Sequence, residues 1–209
     1  MTSDQSLKSF LEELASAQPT PGGGGAAALC GAMAAALTSM VCNLTIGKKK
    51  YLEVTPRMKE VLAQSESLRE GFSRLMDEDA QSFSELLASF KLPKETPEEQ
   101  ETRSHAIQEA TMKAAQVPLE VIRKCAELLP IANLAAEKGN VNVVSDAGVA
   151  ALMLGAAAQS AALNVNINLM GIRDRAWAQK TFDEMNSLLA KIRLENEALL
   201  KTVSQKLGG

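Results

Sequence analysis

The 209 residues carry 22 Lys and Arg against 25 Asp and Glu, and a net charge of −3 offers no basic face for nucleic acid. Hydrophobic residues make up 46% but aromatics only 3%, so the core must be filled by Ala, Leu, Val, Ile and Met, a composition suited to closely packed helices. Three cysteines without paired spacing and one distant histidine, His105, argue against a structural metal or a disulfide framework. The length fits a single domain over residues 1–209. MTSDQSLKSF lacks the basic start and apolar run of an export signal, so the expected location is cytoplasmic.

In chain order, Asp4 to Ala17 places Leu7, Phe10, Leu11 and Leu14 on one helical face, with Ser3 or Asp4 as the cap, and Pro19 and Pro21 stop it. Four glycines, Gly22 to Gly25, follow. From Ala26 to Ile46 no residue is charged, and Gly31, Ala35 and Ser39 form a small-residue stripe that lets another helix approach. This run is long enough to cross a bilayer, yet its Ala, Gly, Thr and Asn content favours a buried helix over a membrane span. Arg57 to Lys91 reads as a long amphipathic helix with Phe72 and Phe83 among its apolar positions. Thr96-Pro97-Glu98-Glu99 opens another, in which Pro118 and Pro130 should kink the helix or open a turn before it ends at Gly139-Asn140. Ser145 and Asp146 are candidate caps for a second charge-free helix, Ala147 to Ile172, with its own seam at Gly148, Ala151, Gly155, Ala158 and Ala162. Asp174 to Leu207 completes the pattern as an amphipathic helix. The fold class is all-α, about six helices around two buried Ala/Gly-rich ones that can pack on each other or on a second copy.

Several stretches carry chemistry beside a plainer explanation. The glycine run fits a tight turn between helices or an amide-lined ligand wall, but without a preceding strand GGGGAAAL is neither of the nucleotide-loop signatures. Lys48, Lys49 and Lys50 complement the negative end of the first buried helix and could equally anchor an anionic ligand tail. Among Asp77, Glu78 and Asp79, Asp79 shares a face with Phe83 and lies at the edge of the core, where desolvation raises proton affinity as a general acid or base requires. Asn164 and Asn168 share a face and either cross-link helices or read a heterocycle, while Asp146 reads as a helix cap and His105 as solvent-facing.

Taken together, PTPGGGGAAALCGAMAAALTSMVCNLTIGKKKY, then LMDEDAQSF with KLPKETPEE, then SDAGVAALMLGAAAQSAALNVNINL, resemble the cyclodeaminase family over nearly the whole chain. That family comprises the cyclodeaminase half of formiminotransferase-cyclodeaminase and the bacterial methenyltetrahydrofolate cyclohydrolases. The resemblance implies an all-helical homodimer acting on a tetrahydrofolate derivative at or near the subunit interface, with no separate cofactor and no metal. It implies Asp79 as the catalytic acid or base of the D-A-x-x-F segment. It also implies a pocket lined by Gly22, Gly23, Gly24, Asn43, Thr45, Gly47 and Lys48, with Asn164 and Asn168 facing the pterin. The rival expectation is a non-catalytic folate-binding or interaction scaffold of the same fold.

Overall fold

The computed structural model describes residues 2–208, and among these six α-helices and no strands are found. They are α1 (Leu7–Leu14), α2 (Gly23–Asn43), α3 (Thr55–Ser89), α4 (Pro97–Lys138), α5 (Val144–Leu169) and α6 (Arg175–Lys206). The helix α2 packs on α3, α4 and α5, and α6 closes the bundle against α4 and α5. The core is built mainly from small and aliphatic side chains, including Ala28, Ala34, Ala35, Ile122, Leu128, Leu129, Leu154 and Val165, with the rings of Phe72 and Phe10 among them.

Helix starts follow cap chemistry, with instructive differences from expectation. Thr96 accepts from Glu99 N while the Glu99 carboxylate accepts from Thr96 N, a full capping box, and Asp174 caps α6 by accepting from Trp177 N at 3.0 Å. The expected caps of α1, Ser3 and Asp4, are instead in a 3₁₀ turn, Thr2–Asp4. Ser3 is drawn off by α3, its N–H and hydroxyl donating to the Asp77 carboxylate at 3.0 and 2.6 Å, so Ser6 caps α1. At α5 the expected cap Ser145-Asp146 lies inside the first turn, because the 3₁₀ turn Val141–Val143 feeds directly into the helix at Val144. Asp146 there meets the positive end of the dipole. The turn expected at Pro118 or Pro130 does not form, for α4 runs through both.

Residues of both small-residue seams meet helices other than each other's. On α2, Gly31 faces the Phe72 ring and Ser39 hydrogen-bonds Ser65 at 2.8 Å, both partners on α3. On α5, Gly148 and Gly155 face Val203 and Asn196 of α6. Two segments, Gly23–Asn43 and Val141–Leu169, have the length and apolarity of membrane spans, and each buries a substantial part of that surface inside the bundle.

A methyl group at Gly31 would lie 2.5 Å from the Phe72 ring. Overpacking of this kind costs about 1–3 kcal/mol, against roughly 1 kcal/mol gained by Gly→Ala in a helix. Gly31→Ala should therefore lower the urea midpoint, and Phe72→Leu in the same chain should restore part of the loss.

Candidate active site

The glycine run is not a turn. Gly22 is the N-cap of α2 and Gly23, Gly24 and Gly25 form its first turn, with no positive φ among them. A glycine cap has no side chain to accept from the amides at the start of the helix. That task falls to α3: Asp79 Oδ2 accepts from Gly25 N at 2.9 Å. The carboxylate lies so close that a methyl group at Gly24 would be 2.0 Å from Oδ1. The need for glycine is thus a close approach, not a special backbone angle.

The three neighbouring acids have separate fates. Asp77 holds Ser3, Glu78 points to solvent, and Asp79 turns inward to the start of α2. Burial pushes the Asp79 carboxyl above its usual range, and the hydrogen bond from Gly25, which favours the anion, opposes this with the smaller effect. A carboxyl so placed can hold or release a proton closer to neutrality than an exposed one.

Asp79 opens into a cavity of about 150 Å³ between α2, α3, α4 and α5. Gly22, Gly23, Gly24, Asn164 and Asn168, five of the residues named for a pocket on the resemblance, line it together with Phe83, Ile167 and Ala114. Phe83, read from the sequence as part of the apolar face of its helix, is 37% exposed and forms part of the cavity mouth. Ile167 and Ala114 carry no chemical signal of their own and are found only through packing. Larger but shallower grooves run along the first half of α4, where His105 is exposed and paired with Glu109, in line with its solvent-facing reading.

The other expected pocket residues are elsewhere in the chain. Asn43 ends α2, and Thr45, Gly47 and Lys48 follow it, about 30 Å from the helix start at 1.5 Å per residue. Thr45 leaves the set of ligand contacts altogether: it is fully buried, its hydroxyl donating to Val41 O at 2.6 Å and accepting from Asn140 N at 2.8 Å. Gly47 supplies a left-handed turn, φ 79°, that reverses the chain after α2. Asn43 and Lys48 are exposed, and Lys48, Lys49 and Lys50 surround a separate groove with Tyr51, Asn140, Val141 and Asn142.

Among the described residues no three of His, Cys, Asp and Glu converge as metal ligands. Burial pushes the Cys42 thiol up to about 11 and raises Cys30 and Cys125 as well, so the cysteines are held as protonated, poorly nucleophilic thiols.

A model of the formiminotransferase-cyclodeaminase family matches residues 6–187. The chain belongs to this family. A methenyltetrahydrofolate cyclohydrolase of Methylorubrum extorquens is 49% identical over 207 residues, 99% of this chain and 100% of that protein. A formimidoyltransferase-cyclodeaminase of Rattus norvegicus is 33% identical over 203 residues, 97% of this chain but only 38% of the longer rat protein. The crystal structure of a formiminotetrahydrofolate cyclodeaminase from Thermotoga maritima superposes with a TM-score of 0.89 at 32% identity, covering 99% of this chain and 100% of that one. The glycine-led helix and its carboxylate therefore lie within a cyclodeaminase-type fold.

The contact between Gly24 and Asp79 can be tested directly. Gly24→Ala should lower the melting temperature despite its better helix propensity, and by more than Gly22→Ala, whose added methyl meets nothing within 4 Å and which loses only the preference of an N-cap for glycine over alanine. Adding Asp79→Ala to Gly24→Ala should recover part of the loss, a coupling that a double-mutant cycle measures.

Proposed function

We propose that this chain is a cytoplasmic folate one-carbon enzyme with Asp79 as its acid/base, acting as a methenyltetrahydrofolate cyclohydrolase or a formiminotetrahydrofolate cyclodeaminase. The observation that carries the reading is the Asp79 carboxyl, raised by burial and held at the start of α2 inside a cavity. The 49%-identical cyclohydrolase, matched from end to end, favours the first reaction.

In the hydrolysis, water adds to the cationic methenyl carbon between N5 and N10, and a proton must leave the water. Asp79 takes that proton as general base. The tetrahedral adduct then breaks its bond to N5, the same group returns a proton to the departing nitrogen, and the adduct's hydroxyl gives up its proton to solvent as it becomes the carbonyl of the N10-formyl product. In cyclodeamination the N10 amine attacks the formimino carbon, and Asp79 protonates the nitrogen that leaves as ammonia. One carboxyl serves both reactions, and as written neither needs a partner beyond folate and water.

The protein is proposed to act as a homodimer. Val149, Leu152, Leu163, Ile167 and Met170 recur along one face of α5 and are between 46% and 75% exposed, and Met33 and Met40 are exposed on the adjoining α2. Neither helix carries a charge on this face, and monomers rarely leave so continuous an apolar surface in water. Ile167 and Asn164 also border the Asp79 cavity, so a second copy seated here would help enclose it. A two-fold pairing with α2 antiparallel would carry the Lys48 end of one copy toward the Asp79 cavity of the other. Asn43, Gly47 and Lys48 would then complete a pocket that they cannot reach within one chain, with the lysines receiving the anionic glutamate tail.

Purified protein should hydrolyse methenyltetrahydrofolate or deaminate formiminotetrahydrofolate, followed by methenyl absorbance, and inactivity on both would overturn the enzyme reading. Asp79→Asn should reduce turnover by about 10²- to 10⁴-fold while largely keeping folate affinity. The stability sign is opposite. With the folded-state pKa raised, native Asp79 binds more protons than in the unfolded chain, so its contribution falls as pH rises from the unfolded value near ~3.9 through the folded one. Asp79→Asn should remove that segment of the stability–pH curve. Replacing Lys48, Lys49 and Lys50 together by alanine should raise KM more than it changes kcat, and a constant KM would return them to a role at the end of α2. Leu152→Glu with Leu163→Glu should convert a sedimenting dimer to monomer.

A further inference from the structure

Asn168 is a side chain whose two donor hydrogens are both committed. Its Nδ2 donates to Ala114 O on α4 at 3.1 Å and to Asn164 O, one turn back on α5, at 2.8 Å. Both partners are backbone carbonyls, which only accept, so the amide has one permitted orientation and Oδ1 is turned away from them. Among the described residues no donor reaches Oδ1, and Asn168 lines the Asp79 cavity.

The carbonyl that fixes this orientation is available for a reason written into α4. In a continuous helix the carbonyl of Ala114 would accept from the N–H of residue 118, but residue 118 is proline, which has none. Pro118 is buried inside the unbroken helix, and the donor it fails to supply comes from α5. Further along, α4 is tied to the connection between α5 and α6 by Gln108, whose amide donates to Gly171 O at 3.0 Å and accepts from Arg173 N at 2.7 Å. The segment that follows α5 is thus also anchored to α4, two to four residues beyond the end of the helix that carries Asn168.

We infer that Asn168 is a specificity-determining residue whose Oδ1 accepts an N–H hydrogen bond from the aminopyrimidinone edge of the pterin, and that Pro118 is its positioning residue. The inference rests on the folate reading above and adds to it which chemical face the cavity reads. Asp79, when ionised, and Asn168 Oδ1 are acceptors on the α3 and α5 sides of the cavity, and the first-turn amides of α2 bring donors from the third side. A ligand edge offering only acceptors would meet these oxygens unpaired, and a site built to satisfy a donor rejects the analogue without it.

The test uses the full-length protein and methenyltetrahydrofolate. Asn168→Ala should raise KM about tenfold or more with kcat changed less than about threefold, the pattern of lost binding common to ground and transition states. Pro118→Ala restores an N–H to compete for the Ala114 carbonyl, so it should raise KM with kcat little changed while the melting temperature holds or rises. A purely structural role for Pro118 would move the melting temperature and leave KM in place. Two folate analogues complete the set, one with methyl in place of the 2-amino group and one with a 4-amino group in place of the 4-oxo, which removes the N3 hydrogen. At least one should bind wild type more weakly than the parent folate yet lose little further affinity in Asn168→Ala. Unchanged KM in Asn168→Ala, or equal losses for parent and both analogues, would overturn the inference while wild-type turnover kept the folate reading intact. Should Asn168→Ala fail to fold, Pro118→Ala decides alone: a raised KM supports the inference and an unchanged KM overturns it. If wild type turns over neither folate, the folate reading itself fails, and this inference with it.

Discussion

The contact on which the site depends is the hydrogen bond from the Gly25 amide to the Asp79 carboxylate. A helix that begins on glycine has no side chain to satisfy its first amides, and here a carboxylate from the next helix substitutes for the missing cap. Two opposing effects meet on that carboxyl: desolvation favours its neutral form, while the amide and the positive end of α2 favour the anion. The balance leaves a group able to exchange a proton yet held in one place. Gly31 against Phe72 and Ser39 against Ser65 continue the α2–α3 contact along the same pair of helices, so the acid is positioned by the packing of a whole interface.

The opposite wall is set by α4 and α5. There the determinant is a backbone carbonyl deprived of its helical donor by Pro118 and supplied by Asn168. Buried carbonyls are costly to leave unpaired, so a proline in mid-helix forces a compensating donor from a neighbour, and that neighbour becomes rigid. Rigid acceptors on one side and a mobile proton on the other suit an electron-poor carbon carried on a nitrogen-rich ring, the chemistry proposed for this family member.

Helices α2 and α5 serve two interfaces at once. Gly31 of α2 packs on α3 and Gly148 and Gly155 of α5 pack on α6, and the faces left exposed carry methionine, leucine and isoleucine without charge. The cavity borders that outer face, which is why dimerisation and ligand enclosure are linked in the proposed arrangement.

Much of this was legible in the sequence. Helical periodicity and caps such as Thr96 gave six helices with small end errors, since local hydrogen bonding decides them. The motif order of the three long blocks pointed to the family, and the pairing of Asp79 with Phe83 on one face placed the acid near a boundary. Three things were decided only by tertiary structure. Gly24 is needed because a carboxylate 55 residues later packs against it, a steric fact with no local signature. Thr45 and Lys48 lie at the wrong end of α2 to share a cavity with Asp79 in one chain, because a straight helix separates its ends by its full length. And Pro118, which read as a kink or the opening of a turn, is accommodated within α4 because α5 supplies the hydrogen bond that α4 alone cannot make. Sequence determined the helices and singled out Asp79 among its neighbouring acids; the distances between helices, set by which side chains are small enough to let backbones meet, determined what that carboxyl can touch.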